Sequence, residues 1–373
     1  EIRRRNFIRP EQMPYTNPMG QTYDTGAFGH MMAQGLKLAD WDGFDARAAD
    51  SAKRGLWRGL GIATFLEWTG GNALEENVNV RILSDGVIEV FSAVNQMGQG
   101  IATSLAQLVV DVFEVPLSQV RVVLGDTDRG NGFGSAGSRS LFTGGSAIRV
   151  GSAQALDQAR QLAGQALEAA PADLIYTQGQ FSVAGTDLKI GLAQLAQRQA
   201  QGRIEVDSKT AASGPSWPNG CHICEVELDP QTGEVNVVRY SSVNDVGRVV
   251  NPMIVRGQLD GGAVQGIGQA LLEHMVYDAE SGQPVTGSLM DYAAPRADIL
   301  PGWFNTHMDQ SVPSKNNVLG VKGVGELGTI GATPAVVNAV ADALARHGHG
   351  DASAHLQMPL TPSRVWTLLQ TSS

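Results

Sequence analysis

A chain of 373 residues has room for a large buried core, and for more than one. Its formal net charge of −10, with 37 acidic against 27 basic side chains, argues against a nucleic-acid binder, which shows a basic excess or stripe. No apolar run approaches a membrane span and the 45 glycines follow no repeat, so membrane-spanning, collagen-like and low-complexity readings fail, and the expected compartment is the cytoplasm.

The opening Glu1-Ile2-Arg3-Arg4-Arg5-Asn6-Phe7 reads as the end of a helix. The chain is therefore expected to be a fragment, a processed chain or one piece of a longer polypeptide. Helix-compatible spacing covers 30–39 and 43–54 within a helical and irregular lead-in. Residues 77–94 alternate across Asp85-Gly86, a strong hairpin signal. Apolar residues at helical spacing fill 101–113, and 120–124 is a short buried strand. A long Ala/Gln-rich helix lies within 140–169, short strands within 174–190 and another helix at 192–201. After Gly214-Pro215 a second hairpin, 221–244, turns at Thr232-Gly233. A helix follows over 257–274 although it carries Gly261, Gly262, Gly266 and Gly268, and a last long one covers 335–346. Glycines in a helix cost about 1 kcal/mol each, so their number predicts close packing against another backbone or a cofactor. The fold class is α+β, with a lead-in over 1–60, a first lobe over 61–210 and a second over 211–373.

Cys221 and Cys224 are the only cysteines, spaced C-x-x-C. They fall in an alternating stretch that runs into the Asp229–Glu234 turn. Residues three apart on a strand point to opposite faces, so the pair is expected to share neither a metal nor a disulfide. Two cysteines also cannot hold a four-thiolate iron–sulfur cluster.

Four glycine-rich stretches carry the chemistry. In Lys322-Gly323-Val324-Gly325-Glu326, a lone carboxylate sits among glycines and apolar residues, where poor solvation would raise its pKa toward the useful range of a general base. Gln96-Met97-Gly98-Gln99-Gly100 lies between a strand and a helix, where backbone N–H groups can hold anions. Gly132-Phe133-Gly134-Ser135-Ala136-Gly137-Ser138-Arg139-Ser140 contains the string G-x-G-x-x-G, but 125–131 separates it from its strand, so a dinucleotide fingerprint is rejected. Its hydroxyls and guanidinium suit a phosphate-bearing ligand of another kind. The fourth stretch runs from Asn244 to Gly266 and centres on Gln258. Glutamine both donates and accepts, which suits a pterin edge or metal-oxo groups without adding charge.

In this order, M-G-Q-G, G-S-R-S, G-Q-x-x-G and K-G-V-G-E resemble the molybdenum-binding subunit of the xanthine oxidase, or molybdenum hydroxylase, family. The texture is closest to its carbon-monoxide-dehydrogenase-like and bacterial heterocycle-hydroxylase branches, and the resemblance covers essentially the whole chain. It implies a molybdenum–molybdopterin cofactor, with the cytosine dinucleotide form as one option. Gln99 and Gln258 would approach it, with Gly98 and Gly100 in the turn of the first. Gly137, Ser138, Arg139 and Ser140 would line the pterin and its phosphate, and Lys322, Gly323, Val324 and Gly325 would form the loop beside the metal. Glu326 would be the base in an oxidative hydroxylation of an N-heterocycle or aldehyde with water as oxygen source. No side chain of this chain is assigned as a metal ligand. The resemblance further implies partners: a companion N-terminal half of the molybdenum subunit, an iron–sulfur subunit with [2Fe-2S] and an FAD subunit. A non-catalytic half-subunit or cofactor-assembly module, and a nucleotide-binding oxidoreductase, are the competing readings.

Overall fold

The computed structural model describes residues 1–371. The main strands in chain order are β1 (Trp57–Leu66), β2 (Glu75–Leu83), β3 (Ile88–Ser92), β4 (Val120–Leu124), β5 (Arg203–Ala211), β6 (Asn219–Leu228), β7 (Val235–Asp245) and β8 (Trp303–Asp309). The main helices are α1 (Phe28–Leu38), α2 (Phe44–Lys53), α3 (Ile101–Phe113), α4 (Ser146–Leu167), α5 (Pro252–Leu271) and α6 (Leu327–Arg346). The architecture is α+β.

The first sheet runs β5-β2-β3-β4. The hairpin of β2 and β3 turns at Gly86, whose φ of 89° suits glycine. β3 and β4 are parallel, joined through α3. Apolar residues of the sheet and of α3 and α4, among them Val80, Ile82, Leu105, Val109 and Ile148, form its core. A π-helical turn, Ser140–Gly145, leads into α4.

The second sheet runs β8-β7-β6-β1. β1 straddles the expected division at 60/61, and it hydrogen-bonds along its whole length to β6. The chain thus enters the second sheet before it builds the first. β6 is buried at every position because helices cover both faces. Cys221 and Ile223 pack toward α1, while Cys224, Val226 and Leu228 pack toward α6. The two thiols are free and diverge with the strand period, as the alternation predicts. Glu225 and Glu227 share the Cys221 face and are neutralised there by Arg47, Arg54 and Arg58.

α6 presses on the sheet where β1 is thinnest. A Cβ on Gly59 or Gly61 would overlap the backbone of Ala339 or Ala335. α5 packs on the outer side of α6 through glycines as well: a Cβ on Gly266 would meet Ala332 Cβ at 2.7 Å, and Thr329 Oγ1 donates to the Gly262 carbonyl at 3.0 Å. α6 is long and apolar enough to cross a bilayer. Its Ala332, Ala335, Val336, Ala339 and Val340 are fully buried, so it is the central helix of this lobe.

Candidate active-site cleft

The two lobes meet at a cleft of about 310 Å³. The first lobe contributes Gln99, Ser138 and Ser140, and the second contributes Gln258, Lys322 and Glu326. Gln99 and Gln258, far apart in sequence, therefore line one cleft together with Glu326.

Each wall has a local cause. Gly98 and Gly100 take φ values of 89° and 74°, so the chain turns sharply from β3 into α3. The Gln99 amide braces that turn: Met97 N–H donates to its Oε1 at 2.6 Å, and its Nε2 donates to the Asn95 carbonyl at 2.7 Å. Asn95 also holds the second loop, since its N–H donates to Ser135 Oγ at 2.8 Å and its Oδ1 accepts from Ser135 N–H at 3.1 Å. Gln258 lies on α5, inside a helix, with Asn251 capping the first turn by accepting from Ile254 N–H at 3.0 Å.

Arg139 is not brought to the cleft. It is fully buried and pairs with Glu76 at 2.9 Å, and it also donates to the carbonyls of Ala73, Gly134 and Glu75. All these partners are protein groups, so the guanidinium is spent on fixing the loop rather than on a phosphate. Removing one partner of such a buried pair costs about 3–5 kcal/mol. Gly137, Ser138 and Ser140, its neighbours, do line the cleft.

The Lys322 loop is equally fixed. Lys322 Nζ donates to Asp245 Oδ2 at 2.6 Å with both side chains fully buried. Burial pushes the Asp245 carboxyl up from its usual range, and Lys322 opposes that shift. Gly323 N–H donates to Thr69 Oγ1 at 3.1 Å, and a Cβ on Gly323 would meet Ser138 Cβ at 2.6 Å. Only glycine lets the loop press this close.

Glu326 departs from the expectation in two respects. It is exposed to the cleft, not poorly solvated, and it is not alone. The Ser138 hydroxyl donates to Glu326 Oε2, and a second carboxyl, that of Glu67, feels its charge. The carboxyl that burial pushes up is Glu67, to about 8, with the Glu326 charge and hydrogen bond adding to the shift. Glu67 follows β1 directly, in Leu66-Glu67-Trp68-Thr69-Gly70-Gly71. A carboxylate ending an apolar strand just before a glycine pair was the available signal, and it went unread.

The sequence and fold have known relatives. A molybdopterin cofactor-binding domain model matches residues 34–301. The chain is 34% identical over 98% of its length to the nicotine 6-hydroxylase large subunit of Paenarthrobacter nicotinovorans, covering 46% of that protein. It is 32% identical over 99% of its length to the carbon monoxide dehydrogenase large chain of Hydrogenophaga pseudoflava, covering 48% of it. The structure of quinoline 2-oxidoreductase from Pseudomonas putida 86 superposes with a TM-score of 0.86 at 34% identity, over 99% of this chain and 49% of that one. The chain belongs to the molybdopterin cofactor-binding family of molybdenum hydroxylase large subunits. It spans about half the length of the curated relatives it matches.

Proposed function

We propose that this chain forms the catalytic half of a molybdenum hydroxylase, an oxidoreductase that hydroxylates an N-heterocycle or aldehyde with water as the oxygen source. The carrying observation is the convergence of Gln99, Gln258 and Glu326 on one cleft. The cleft also suits the cofactor. Residues at the N-terminal ends of three helices, Ile101 of α3, Ile254 in the first turn of α5 and Glu326 just before α6, line it. Helix N-termini favour anionic groups, and Arg248 adds a cation to the lining, whereas Lys322 is neutralised by Asp245. Leu141, Ile254 and Val255 supply apolar walls for a flat ring system.

Bound molybdopterin would supply the Lewis-acid and two-electron redox chemistry. The residues of this chain do the rest. Gly98 and Gly100 allow close backbone approach, the two glutamine amides orient neutral polar groups, and the Lys322–Asp245 pair keeps the 322–326 loop rigid. Ser138 holds the Glu326 carboxylate, which accepts the proton released from water oxygen. The reading includes the cytosine dinucleotide form of the cofactor, a companion half of the subunit, and iron–sulfur and FAD subunits that take the electrons. Nicotine and quinoline in the names of two relatives favour an N-heterocycle as substrate. Metal analysis and turnover assays on the protein purified with its companions test the reading. Stoichiometric molybdenum with heterocycle hydroxylation supports it. Molybdenum without turnover on any heterocycle or aldehyde sustains a cofactor-assembly role instead.

A further inference from the structure

Resting on that reading, we propose that Ser138 is a positioning residue for Glu326, a serine held in a costly backbone conformation so that its hydroxyl aims the base. Among the described residues, five that are not glycine take a left-handed φ: Asp40, Glu114, Ser138, Glu168 and Gln178. Asp40, Glu114 and Glu168 follow the ends of helices, and Gln178 lies in a hairpin turn, where that conformation is expected. Ser138, at φ 56°, stands instead just ahead of the π-helical turn and lines the cleft. A side chain in this region costs free energy that glycine does not incur. The backbone is pinned there from both sides. The Gly137 carbonyl accepts from Gly70 N–H at 2.9 Å, and Arg139 N–H donates to the Ala136 carbonyl at 3.1 Å. Arg139 is itself anchored by its buried pair with Glu76.

The facing loop is shaped to receive this serine. A Cβ on Gly323 would meet Ser138 Cβ at 2.6 Å, and one on Gly325 would meet Ser138 Oγ at 3.2 Å. Neither glycine takes a left-handed φ, so their missing side chains serve space rather than backbone freedom. Ser138 thus inserts beside alternate residues of the loop, one step from Glu326. Its single hydroxyl hydrogen goes to Glu326 Oε2, and the same hydrogen is then not free for the pterin, the role the resemblance implies. Glu326 stands at the N-cap of α6, but its carboxylate does not cap that helix. A hydrogen bond to an ionised acceptor is about twice as strong as a neutral one, enough for the hydroxyl to fix the carboxylate on the cleft wall.

The test compares Ser138→Ala with Ser138→Gly in the protein purified with its companions. Both remove the hydroxyl, but only glycine releases the left-handed backbone. Ser138→Gly should therefore melt about 1–3 °C above Ser138→Ala. Turnover should ignore that difference. In both variants kcat should fall about 10- to 100-fold, the scale of a misplaced catalytic group, with KM changed less than about twofold and molybdenum content retained. A serine that only shapes the loop gives another pattern: rate follows melting temperature, and Ser138→Gly works normally. That result overturns the proposal. So does a loss of molybdenum with unchanged turnover per bound metal, which would return the hydroxyl to the cofactor. Crystal structures of the unloaded protein supply a readout that needs no turnover. The Glu326 carboxylate should rest on Ser138 Oγ in the wild type and leave that position in Ser138→Gly. A carboxylate in the same place in both crystals also refutes the assignment. A wild-type complex that holds molybdenum but hydroxylates nothing counts against the functional reading alone, and the crystal comparison still decides what places Glu326.

Discussion

At the scale of a single residue, the proposed chemistry turns on Glu326. It ends the glycine-rich loop, caps α6 by position, and receives the Ser138 hydroxyl. A positioned general base contributes about 100- to 10,000-fold to rate. Glu326→Gln in the assembled enzyme should therefore keep its molybdenum and lose turnover by that order, measured by metal analysis beside steady-state kinetics. A variant that turns over at the normal rate removes Glu326 from the mechanism. The sequence singles out Glu326, Gln99 and Gln258 because an amide or carboxylate among glycines has few structural uses, and the structure brings the three to one cleft. Arg139 was misread because a guanidinium beside hydroxyls looks the same in sequence whether it meets a phosphate or a buried Glu76. Glu67 carries only the weak signal of a carboxylate between an apolar strand and a glycine pair, and the loop of Glu326 lies far from it in the chain.

Elements were legible where the period was clean. The spacing predicts α3 over 101–113 and β4 over 120–124, and the structure has both at those bounds. α6 begins at Leu327, eight positions before the expected 335, because Gly328, Gly331 and Pro334 argue against a helix locally. Packing overrides that propensity: Gly328 lets α6 touch the backbone of α5, and Gly331 leaves room for the His222 ring. The same logic predicts the cost of filling these contacts. Gly61→Ala would drive a methyl group into the Ala335 carbonyl and the Ala339 amide. It should destabilise the lobe by about 3 kcal/mol, the upper range of overpacking, read as a lower urea midpoint at unchanged slope. Gly261→Ala, on the open face of α5 with nothing within 4 Å, should stabilise by up to about 1 kcal/mol in the same assay. The interface also carries a pH dependence. His222 is buried between β6 and α6, its Nε2–H donating to Asn244 Oδ1 at 2.9 Å and its Nδ1 accepting from Tyr240 O–H at 2.6 Å. Burial pushes its pKa down from 6.5 to about 4, against the Asn244 hydrogen bond. A folded-state pKa below the unfolded one means that the unfolded chain binds the proton first. Stability is thus full above pH 6.5 and declines as pH falls toward 4, by about 3 kcal/mol in all. Denaturant melts of wild type and His222→Gln across that window should diverge, with the wild type the steeper. Parallel curves would show that the ring does not titrate with unfolding.

At the scale of the whole molecule, the cleft has walls from both lobes but an open mouth. Met97 on its rim is 66% exposed and Met253, on the first turn of α5, is 79% exposed. Farther along, Leu289 and Met290 stand 84% and 94% exposed in the segment between α5 and β8. Large apolar side chains spend such exposure on partners more readily than on water. The relatives offer one: this chain matches 46–48% of the length of the nicotine hydroxylase and carbon monoxide dehydrogenase subunits, so the other half of each has no counterpart among these residues. A companion of that kind, seated over the cleft mouth, would bury an obligate interface of roughly 2,000 Å² or more. It would also exclude water from the cleft that Gln99 and Gln258 line. The expected outcome is that the protein co-purified with such a companion carries molybdenum through gel filtration. The chain expressed by itself should lose the metal on the column and elute as a larger, self-associated species. Inductively coupled plasma analysis of the fractions reads the metal, and light scattering reads the mass. A monodisperse monomer that keeps molybdenum and hydroxylates a heterocycle unaided would show that the cleft needs no second wall.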